Sequence, residues 1–291
     1  MTLTRRELAL AGLLGPLLAQ AGSPGPAAAQ SPAALEPPAH DMSAMPAHWM
    51  GSEKIAFLIY PQFTALDMVG PHYMLTNLMG ATTYIVAKTK APVTSDTGLV
   101  FTPSNTFEDC PADLDILCVP GGSTGTLAAM RDDETLRFLK DRGSRAKYVT
   151  SVCTGSLLLG AAGLLQGYKA TSHWVTRPLL TEFRAIPTMG RVVRDRNRIT
   201  GGGVTAGIDF GLALVGSLRD RMYAEGVQLL AEYAPDPPFD AGTPERAPKD
   251  IVAAARESVK ELTAQRMETA RRVARRLGVA APADAGLARS A

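Results

Sequence analysis

A cysteine that directly follows an apolar segment is the residue of this sequence best placed to do chemistry. The segment KYVTSVC (147–153) is typical of a buried strand, and GSLLLGAAGLL (155–165) is typical of a helix rich in small residues. Cys153 therefore lies on a tight turn between a strand and a helix, which is the setting of a nucleophile elbow. A thiol at the start of a helix is close to unpaired N–H groups, and these favour the thiolate. A buried, inert cysteine is the alternative, but the placement favours a nucleophile.

An aspartate lies near the start of the first predicted helix. Asp67 follows the apolar segment IAFLIYP (55–61), which is predicted to be the first buried strand, and it precedes Gly70-Pro71. Ligands of doubly wound sheets bind outside the carboxyl ends of the strands, where both Asp67 and Cys153 fall. A carboxyl group beside an apolar pocket can have its pKa raised enough to deliver a proton. An N-cap or turn aspartate fits the same position, and the sequence leaves both interpretations open.

Backbone N–H groups at the ends of predicted strands could stabilise negative charge, as an oxyanion hole requires. Two glycines end the apolar segment DILCVPGG (115–122), and Thr154 follows the candidate nucleophile Cys153. A run of three glycines occupies 201–203. The predicted oxyanion or substrate-binding positions are Gly121, Gly122, Thr154 and Gly202. Ordinary tight turns are the alternative for the glycines.

The remaining cysteines and the histidine nearest to the site have weaker signals. His173 suggests a cysteine–histidine pair, but a lone histidine after a short strand also fits a structural role, so we predict at most a supporting position. Cys118 falls in the middle of a predicted strand and Cys110 precedes Pro111 in a polar loop, so both are predicted to be structural. Since there is no CxxC pair or histidine cluster, the sequence predicts no metal site.

The segments that carry these residues alternate between predicted strands and helices. This order predicts an α/β fold with a doubly wound, mostly parallel sheet and helices on both faces. The predicted strands are 55–61, 82–87, 115–122, 147–153 and a short one near Val192, and the predicted helices are 71–80, 124–142, 155–165 and one from about Ala206. The charged segment 249–278 is predicted to be an outer or intersubunit helix rather than a core helix.

The composition is that of an ordinary globular protein, with 46% hydrophobic and 20% charged residues. The 30 basic and 28 acidic residues give a formal net charge of +2, so nothing indicates a nucleic-acid or anionic-membrane partner. Three cysteines give no disulfide framework, and at least one thiol must be unpaired in a monomer.

The first 52 residues are predicted to lie outside the fold. Residues 1–30 have paired arginines, a short apolar run and small-residue sites, as in a twin-arginine-like secretory signal. Their apolar run is too short for a stable membrane anchor. These features predict a periplasmic or exported protein, with a cytoplasmic one as the alternative. Residues 31–52, rich in proline and alanine, are predicted to be a disordered linker, followed by a catalytic domain over 53–278 and a flexible tail over 279–291.

Taken together, these motifs resemble the ThiJ/PfpI (class I glutamine amidotransferase-like) superfamily, and within it they are most similar to the isonitrile (isocyanide) hydratases. The resemblance covers nearly the whole predicted domain. It rests on the strand-end Gly-Gly, SVCTGS, GAAGLLQG, ATSHW, VVRD, ITGGGVTAGIDF and EYAPDPPF.

The resemblance implies a flavodoxin-like fold, a homodimer, no metal or organic cofactor, and addition of water to an isocyanide to give an N-substituted formamide. It implies that Cys153 is the nucleophile and Asp67 the essential acid, with Thr154 next to the nucleophile. Relatives in the superfamily more often have glutamate at the acidic position, and the aspartate favours a hydratase. A covalent cysteine thioimidate is the implied intermediate.

Two other functions remain open. A glyoxalase-type or hydrolase enzyme, or a stress-responsive thiol protein, would keep the fold and the cysteine. A regulatory ligand-binding domain is disfavoured, because the roughly fifty residues after Pro238 are too few for the three-helix minimum of a helix-turn-helix reader.

Overall fold

The computed structural model describes residues 45–279, and a mostly parallel sheet forms its centre. The strands are β1 (Lys54–Leu58), β2 (Thr82–Ala87), β3 (Val93–Thr94), β4 (Val100–Phe101), β5 (Asn105–Thr106), β6 (Ile116–Val119), β7 (Tyr148–Val152), β8 (Lys169–Ala170), β9 (Ile186–Pro187), β10 (Val192–Asp195) and β11 (Arg198–Gly201). The helices are α1 (Ala65–Leu75), α2 (Thr124–Ala129), α3 (Asp133–Arg145), α4 (Gly155–Ala161), α5 (Ala206–Leu218), α6 (Arg221–Leu230), α7 (Lys249–Ser258) and α8 (Lys260–Arg276).

The main sheet has the strand order β10-β11-β7-β6-β1-β2-β5, and every pairing in it except β10–β11 is parallel. Its three central strands are almost wholly buried because helices cover both faces, as their continuous apolar sequences predict. The predicted doubly wound α/β fold is therefore confirmed. The ends of β1, β6 and β7 bring the chain segments around Asp67, Gly121 and Cys153 to one edge.

Helices α1 and α5 pack against each other closely because α5 has glycines at the contact. A Cβ atom at Gly207 would lie 2.7 Å from Pro71 Cδ, and one at Gly211 would lie 2.9 Å from Met74 Cβ. Larger side chains would therefore push the two helices apart. This packing fixes α1, the helix that carries Asp67, against the rest of the domain.

The predicted start of the first helix, at Pro71, is wrong. Helix α1 begins at Ala65 and contains Pro71 in its interior. Because proline has no N–H, the carbonyl of Asp67 lacks its usual helical donor, but packing against α5 keeps the helix intact. Asp67 therefore lies in the first helical turn, and Thr64 occupies the N-cap position.

The single helix predicted over 124–142 is two helices. Helix α2 ends at Ala129, and α3 starts anew at Asp133 after the N-cap residue Asp132, whose carboxylate accepts a hydrogen bond from the Thr135 N–H. An N-cap aspartate satisfies one of the unpaired N–H groups of a helix start and so favours a break at this point.

Part of the predicted linker belongs to the fold. Residues 45–52 lie against the body of the domain, where the Trp49 indole N–H donates to Asp220 at 2.6 Å. The buried ion pair Arg219–Glu53, at 2.6 Å, holds the start of β1 to the end of α5. The prediction of disorder is therefore wrong for residues 45–52, whereas 31–44, the signal segment and nearly all of the predicted tail 279–291 lie outside the described residues.

The C-terminal segment 249–278 is helical, as predicted, but as two helices instead of one. It forms α7 and α8, and α8 buries one face against the domain through Arg266, Thr269, Ala270, Val273 and Ala274. The helix is therefore a structural part of the domain rather than an outer appendage.

The described helices include none that is both long enough and apolar enough to cross a bilayer.

Candidate active site

Cys153 lies on a strained turn between β7 and α4, as predicted. Its φ of 56° is in the left-handed region, which non-glycine residues rarely adopt. Gly155 makes the turn possible, because a Cβ atom there would lie 2.2 Å from the Val119 carbonyl oxygen. Cys153 is only 7% exposed. This geometry is that of a nucleophile elbow.

Asp67 is buried beside the elbow and does not act as a helix cap. It is 1% exposed, and its Oδ2 accepts a hydrogen bond of 2.8 Å from the Gly121 N–H. Oδ1 has no hydrogen-bond partner within residues 45–279. A buried carboxyl group that is only half satisfied is costly unless it serves a ligand or a neighbouring group. The geometry therefore favours the acid–base interpretation of Asp67 over the capping one.

The Asp67 carboxyl and the Cys153 thiol influence each other's ionisation. Burial raises the pKa of Asp67 to about 7, against opposing hydrogen bonds from Gly121 and from the cysteine side chain. Burial also raises the pKa of Cys153, as does the negative charge of Asp67, whereas the Thr154 N–H and the Arg266 guanidinium lower it. The helix start alone therefore does not supply a thiolate, contrary to expectation. Because two adjacent buried negative charges are disfavoured, ionisation of either group makes ionisation of the other harder.

The turn at Gly121 and Gly122 holds this pair in place. A Cβ atom at Gly121 would lie 2.6 Å from the Thr154 nitrogen and 2.8 Å from Asp67 Oδ2, so only glycine fits. The Gly121 N–H donates to Asp67, and the Gly122 N–H donates to Thr154 Oγ1 at 3.0 Å. Both amides are thus already occupied, so they position the pair instead of forming the predicted open oxyanion hole. The Thr154 N–H, which faces the Cys153 sulfur, is the predicted donor that remains.

A chain of buried hydroxyl groups supports the elbow from behind, and sequence reasoning missed it. Thr154 Oγ1 lies 2.8 Å from Thr126 Oγ1, which lies 3.1 Å from the Tyr60 hydroxyl. Tyr60 in turn donates to the Pro120 carbonyl at 2.8 Å. In the sequence, Tyr60, Thr126 and Thr154 only show that hydroxyl groups lie near the ends of apolar segments. The sequence does not show which of these hydroxyl groups contact each other. The chain of hydroxyl groups fixes the rotamer of Thr154 beside the elbow.

Gly202 and His173 do not take the roles that an oxyanion donor or a catalytic base would have. The Gly202 N–H donates to the Arg191 carbonyl at 2.9 Å, so it is not available as the predicted oxyanion donor. The segment before His173 contacts the elbow, because Ser172 Oγ donates to the Cys153 carbonyl at 3.0 Å. Burial, and then the charge of Arg266, lower the pKa of His173, so its imidazole is neutral. Within the described residues the His173 side chain makes no hydrogen bond to Cys153, and its supporting position stays a prediction.

An arginine far along the sequence also reaches this site. Arg266 of α8 is 5% exposed, and its Nη2 donates to the carbonyls of Gly122 and Ser123 at 2.8 and 2.6 Å. Charged residues on a predicted surface helix gave no reason to expect this contact.

The two other cysteines are structural, as predicted. Cys118 is buried within β6, where Thr150 Oγ1 lies 3.2 Å from its sulfur, and burial raises the pKa of its thiol to about 12. Cys110 is buried after β5 and contacts the Pro111 carbonyl at 3.7 Å. All three cysteines are free thiols.

Replacing Cys118 with alanine should lower the stability of the protein and spare its activity. Removal of a small buried side chain is expected to cost roughly 1 kcal/mol or somewhat more. Thermal or urea unfolding measures the stability, and turnover is followed in parallel. Loss of catalysis in a folded Cys118→Ala protein would mean that Cys118 has a catalytic role.

The donor set of the site suits acid–base and nucleophilic chemistry. Nowhere in residues 45–279 do three or more His, Cys, Asp or Glu side chains come together as a metal ion would need. A cleft of about 610 Å³ is lined by Tyr60, Lys88 and Arg131 among others, but not by Cys153 or Asp67.

Known proteins match this chain over most of its described part. The sequence profile of the DJ-1/PfpI family matches residues 53–217. The chain is 50% identical over 226 residues to the isonitrile hydratase of Pseudomonas putida, a match that covers 78% of this chain and 98% of that protein. The crystal structure of a ThiJ/PfpI family protein from Pseudomonas syringae has a TM-score of 0.76 and 58% identity, covering 82% of this chain and 98% of that one.

A regulator shares part of the same sequence. The HTH-type transcriptional regulator GbdR of Pseudomonas aeruginosa is 30% identical over 191 residues, and the match covers 62% of this chain and 51% of the regulator. Regulators and enzymes thus share this domain, and the family alone does not separate them. The profile match, the identity over most of the chain and the elbow cysteine agree on one assignment: the chain belongs to the DJ-1/PfpI family.

Proposed function

We propose that this protein is an isonitrile hydratase, which adds water to an isocyanide to give an N-substituted formamide. The observation that carries the proposal is the burial of Asp67 and Cys153 side by side, where the carboxyl and the thiol influence each other's ionisation. The 50% identity to an isonitrile hydratase over most of both chains supports the same chemistry. An isocyanide needs both members of the pair, because its terminal carbon must receive a nucleophile and a proton.

The reaction we propose has two stages. The Cys153 thiol passes its proton to the Asp67 carboxylate as the sulfur attacks the terminal carbon and forms a carbon–sulfur bond, and Asp67 then delivers that proton to the same carbon. The product is a neutral thioimidate on Cys153, and Asp67 is left as the carboxylate. The covalent route divides one difficult addition into two easier ones.

In the second stage water replaces the sulfur. The Asp67 carboxylate accepts a proton as the water oxygen attacks the thioimidate carbon, and this proton passes to the nitrogen. The carbon–sulfur bond then breaks, the remaining hydroxyl proton returns to the cysteine–aspartate pair, and the formamide leaves. The Thr154 N–H, which faces the sulfur, stabilises negative charge there when the bond forms and breaks.

The regulatory alternative fits the structure less well. A regulator of this family would need a DNA-binding module after the domain, but within the described residues α8 packs against the catalytic domain and reaches its active site. A glyoxalase-type enzyme would use the same cysteine, so the two enzyme functions are distinguished by the substrate that the protein converts.

Purified protein should convert simple alkyl and aryl isocyanides to the matching formamides, and methylglyoxal supplied in parallel should be left unchanged. Chromatography with mass detection measures both reactions. Consumption of methylglyoxal without any formamide from the isocyanides would replace the hydratase proposal with the glyoxalase-type one.

We also propose that the protein is a homodimer. Helix α1 exposes an apolar stripe of Leu66, Val69 and Tyr73, which are 41%, 40% and 48% exposed at i, i+3 and i+7. A second copy of the chain could bury this apolar stripe, and the family resemblance supports the same assembly.

Light scattering at micromolar concentration should give twice the mass of the chain, and Val69→Glu should shift the mass toward the monomer. A monomeric mass for the unmodified protein would refute the dimer.

Export through residues 1–30 remains a separate proposal, because that segment lies outside the described residues. Replacing Arg5 and Arg6 with lysine should then reduce the periplasmic fraction of the full-length protein. Equal distribution of both forms between the compartments would contradict export.

A further inference from the structure

The charge of Arg266 is buried without an acidic partner. The residue is 5% exposed, and burial lowers the pKa of its guanidinium, whereas Cys153 and Tyr60 raise it. No carboxylate takes part in this balance among residues 45–279. Its Nη2 donates to two carbonyl oxygens, and its Nε has no hydrogen-bond partner within the described residues. A buried cation in this state is costly unless a negative charge forms near it.

The titratable groups whose pKa Arg266 changes indicate which negative charge forms near its guanidinium. Arg266 lowers the pKa of Cys153 and also that of His173. Tyr60 is buried and its pKa is raised by burial, so it is neutral. Asp67, on α1, raises the pKa of Cys153 and is itself subject to the charge of Asp96. Of the groups that stabilise Arg266, only the Cys153 sulfur carries a negative charge during the proposed reaction.

The same side chain also holds the turn that positions the pair. The Gly122 carbonyl accepts from both Arg266 and the Thr154 hydroxyl, and the neighbouring Gly121 N–H holds Asp67. Arg266 thus connects α8 to the turn on which the aspartate and the elbow depend. It lies outside residues 53–217, the part of the chain that the family profile matches.

We propose that Arg266 is a positioning residue of the active site, which holds the Gly122–Ser123 turn and supplies the counter-charge for the Cys153 thiolate. The C-terminal helix α8 is then a working part of the site. The proposal extends the hydratase function proposed above, but its main test does not depend on that function.

The test compares the rate at which iodoacetamide alkylates Cys153, as a function of pH, in four proteins. Arg266→Lys keeps the charge, and Arg266→Gln keeps a hydrogen-bond donor without the charge. Arg271→Met is the control on the same helix, because Arg271 is exposed and pairs with Glu182. Peptide mapping by mass spectrometry assigns the alkylation to Cys153.

We expect the midpoint of the alkylation profile to move up by about one pH unit or more in Arg266→Gln, because removal of a nearby cation raises a thiol pKa. Arg266→Lys and Arg271→Met should stay within a few tenths of a unit of the wild type. At a fixed pH below the midpoint, kcat for an isocyanide should fall about tenfold in Arg266→Gln, as the thiolate fraction does, with little change in KM.

Folded Arg266→Lys and Arg266→Gln proteins with the same alkylation profile would overturn the proposal, since charge would then not matter. A shift in Arg266→Gln without any isocyanide turnover by the wild type would keep the role of Arg266 and reject the hydratase function. If Arg266→Gln does not fold, Arg266→Met is measured against Arg266→Lys with the same criterion.

Discussion

Replacing Cys153 with alanine should abolish turnover of isocyanides and leave the fold intact. The sulfur is the proposed nucleophile, and alanine keeps the Cβ atom and the backbone at φ 56° without adding strain. Activity should fall below a few per cent of the wild type, and the thermal midpoint should change by only a few degrees. Formamide production and circular dichroism measure the two effects.

Cys118→Ala is the matched control for this variant, because it removes a thiol that is buried within a strand and has no place in the mechanism. The two variants should give opposite results: Cys153→Ala should lose activity, and Cys118→Ala should lose stability. Retention of more than a few per cent of activity in folded Cys153→Ala would rule out the covalent mechanism.

Replacing Asp67 with asparagine should lower turnover by about two to four powers of ten, the usual contribution of a general acid–base group. Asparagine keeps the shape and can still accept the Gly121 N–H, but it cannot hold or deliver the proton. Steady-state kinetics with an isocyanide measures the loss. A fully active asparagine variant would mean that Asp67 only positions the Gly121 turn.

Asp67→Glu is the companion variant, because it keeps the charge and moves it by one methylene. It should fold and keep the reactivity of Cys153 toward an alkylating agent, while losing most isocyanide hydration. Near wild-type hydration by Asp67→Glu would show that the position of the carboxyl group is not critical.

The raised pKa of Asp67 also has a consequence for stability. In the folded protein the carboxyl has a pKa of about 7, whereas its ordinary value is 3.8. As the pH rises from about 4 to about 7, ionisation favours the unfolded chain, so the wild type loses stability that Asp67→Asn keeps. Thermal unfolding should show the advantage of the asparagine variant growing over this range and then levelling off. An advantage that does not depend on pH would contradict the raised pKa.

The sequence predicts the parts of the site that are local along the chain. The elbow at Cys153 could be identified because its strand, turn and helix are consecutive, and each has a clear composition. The buried strands could be identified in the same way, and their parallel order follows from the alternation with helices. Asp67 could be placed at the correct edge of the sheet for the same reason.

The remaining features depend on packing between distant segments. Pro71 suggested a helix start, but contact with the glycines of α5 keeps it within a helix that begins six residues earlier. The Gly121 and Gly122 amides were assigned to a substrate because the sequence does not reveal that Asp67 and Thr154 already occupy them. Arg266 was not identified because a charge on an amphipathic helix is normally solvated, and only the docking of α8 buries it.

The mass of the protein during turnover tests the central claim most directly. Wild-type protein mixed with excess aryl isocyanide and quenched within milliseconds to seconds should gain the mass of one whole isocyanide, since the thiol adds across the carbon without a leaving group. Peptide mapping should place the adduct on Cys153, and Cys153→Ala should acquire none. Formamide production at the full rate by protein whose Cys153 has been alkylated beforehand, with no adduct at any time, would contradict the account.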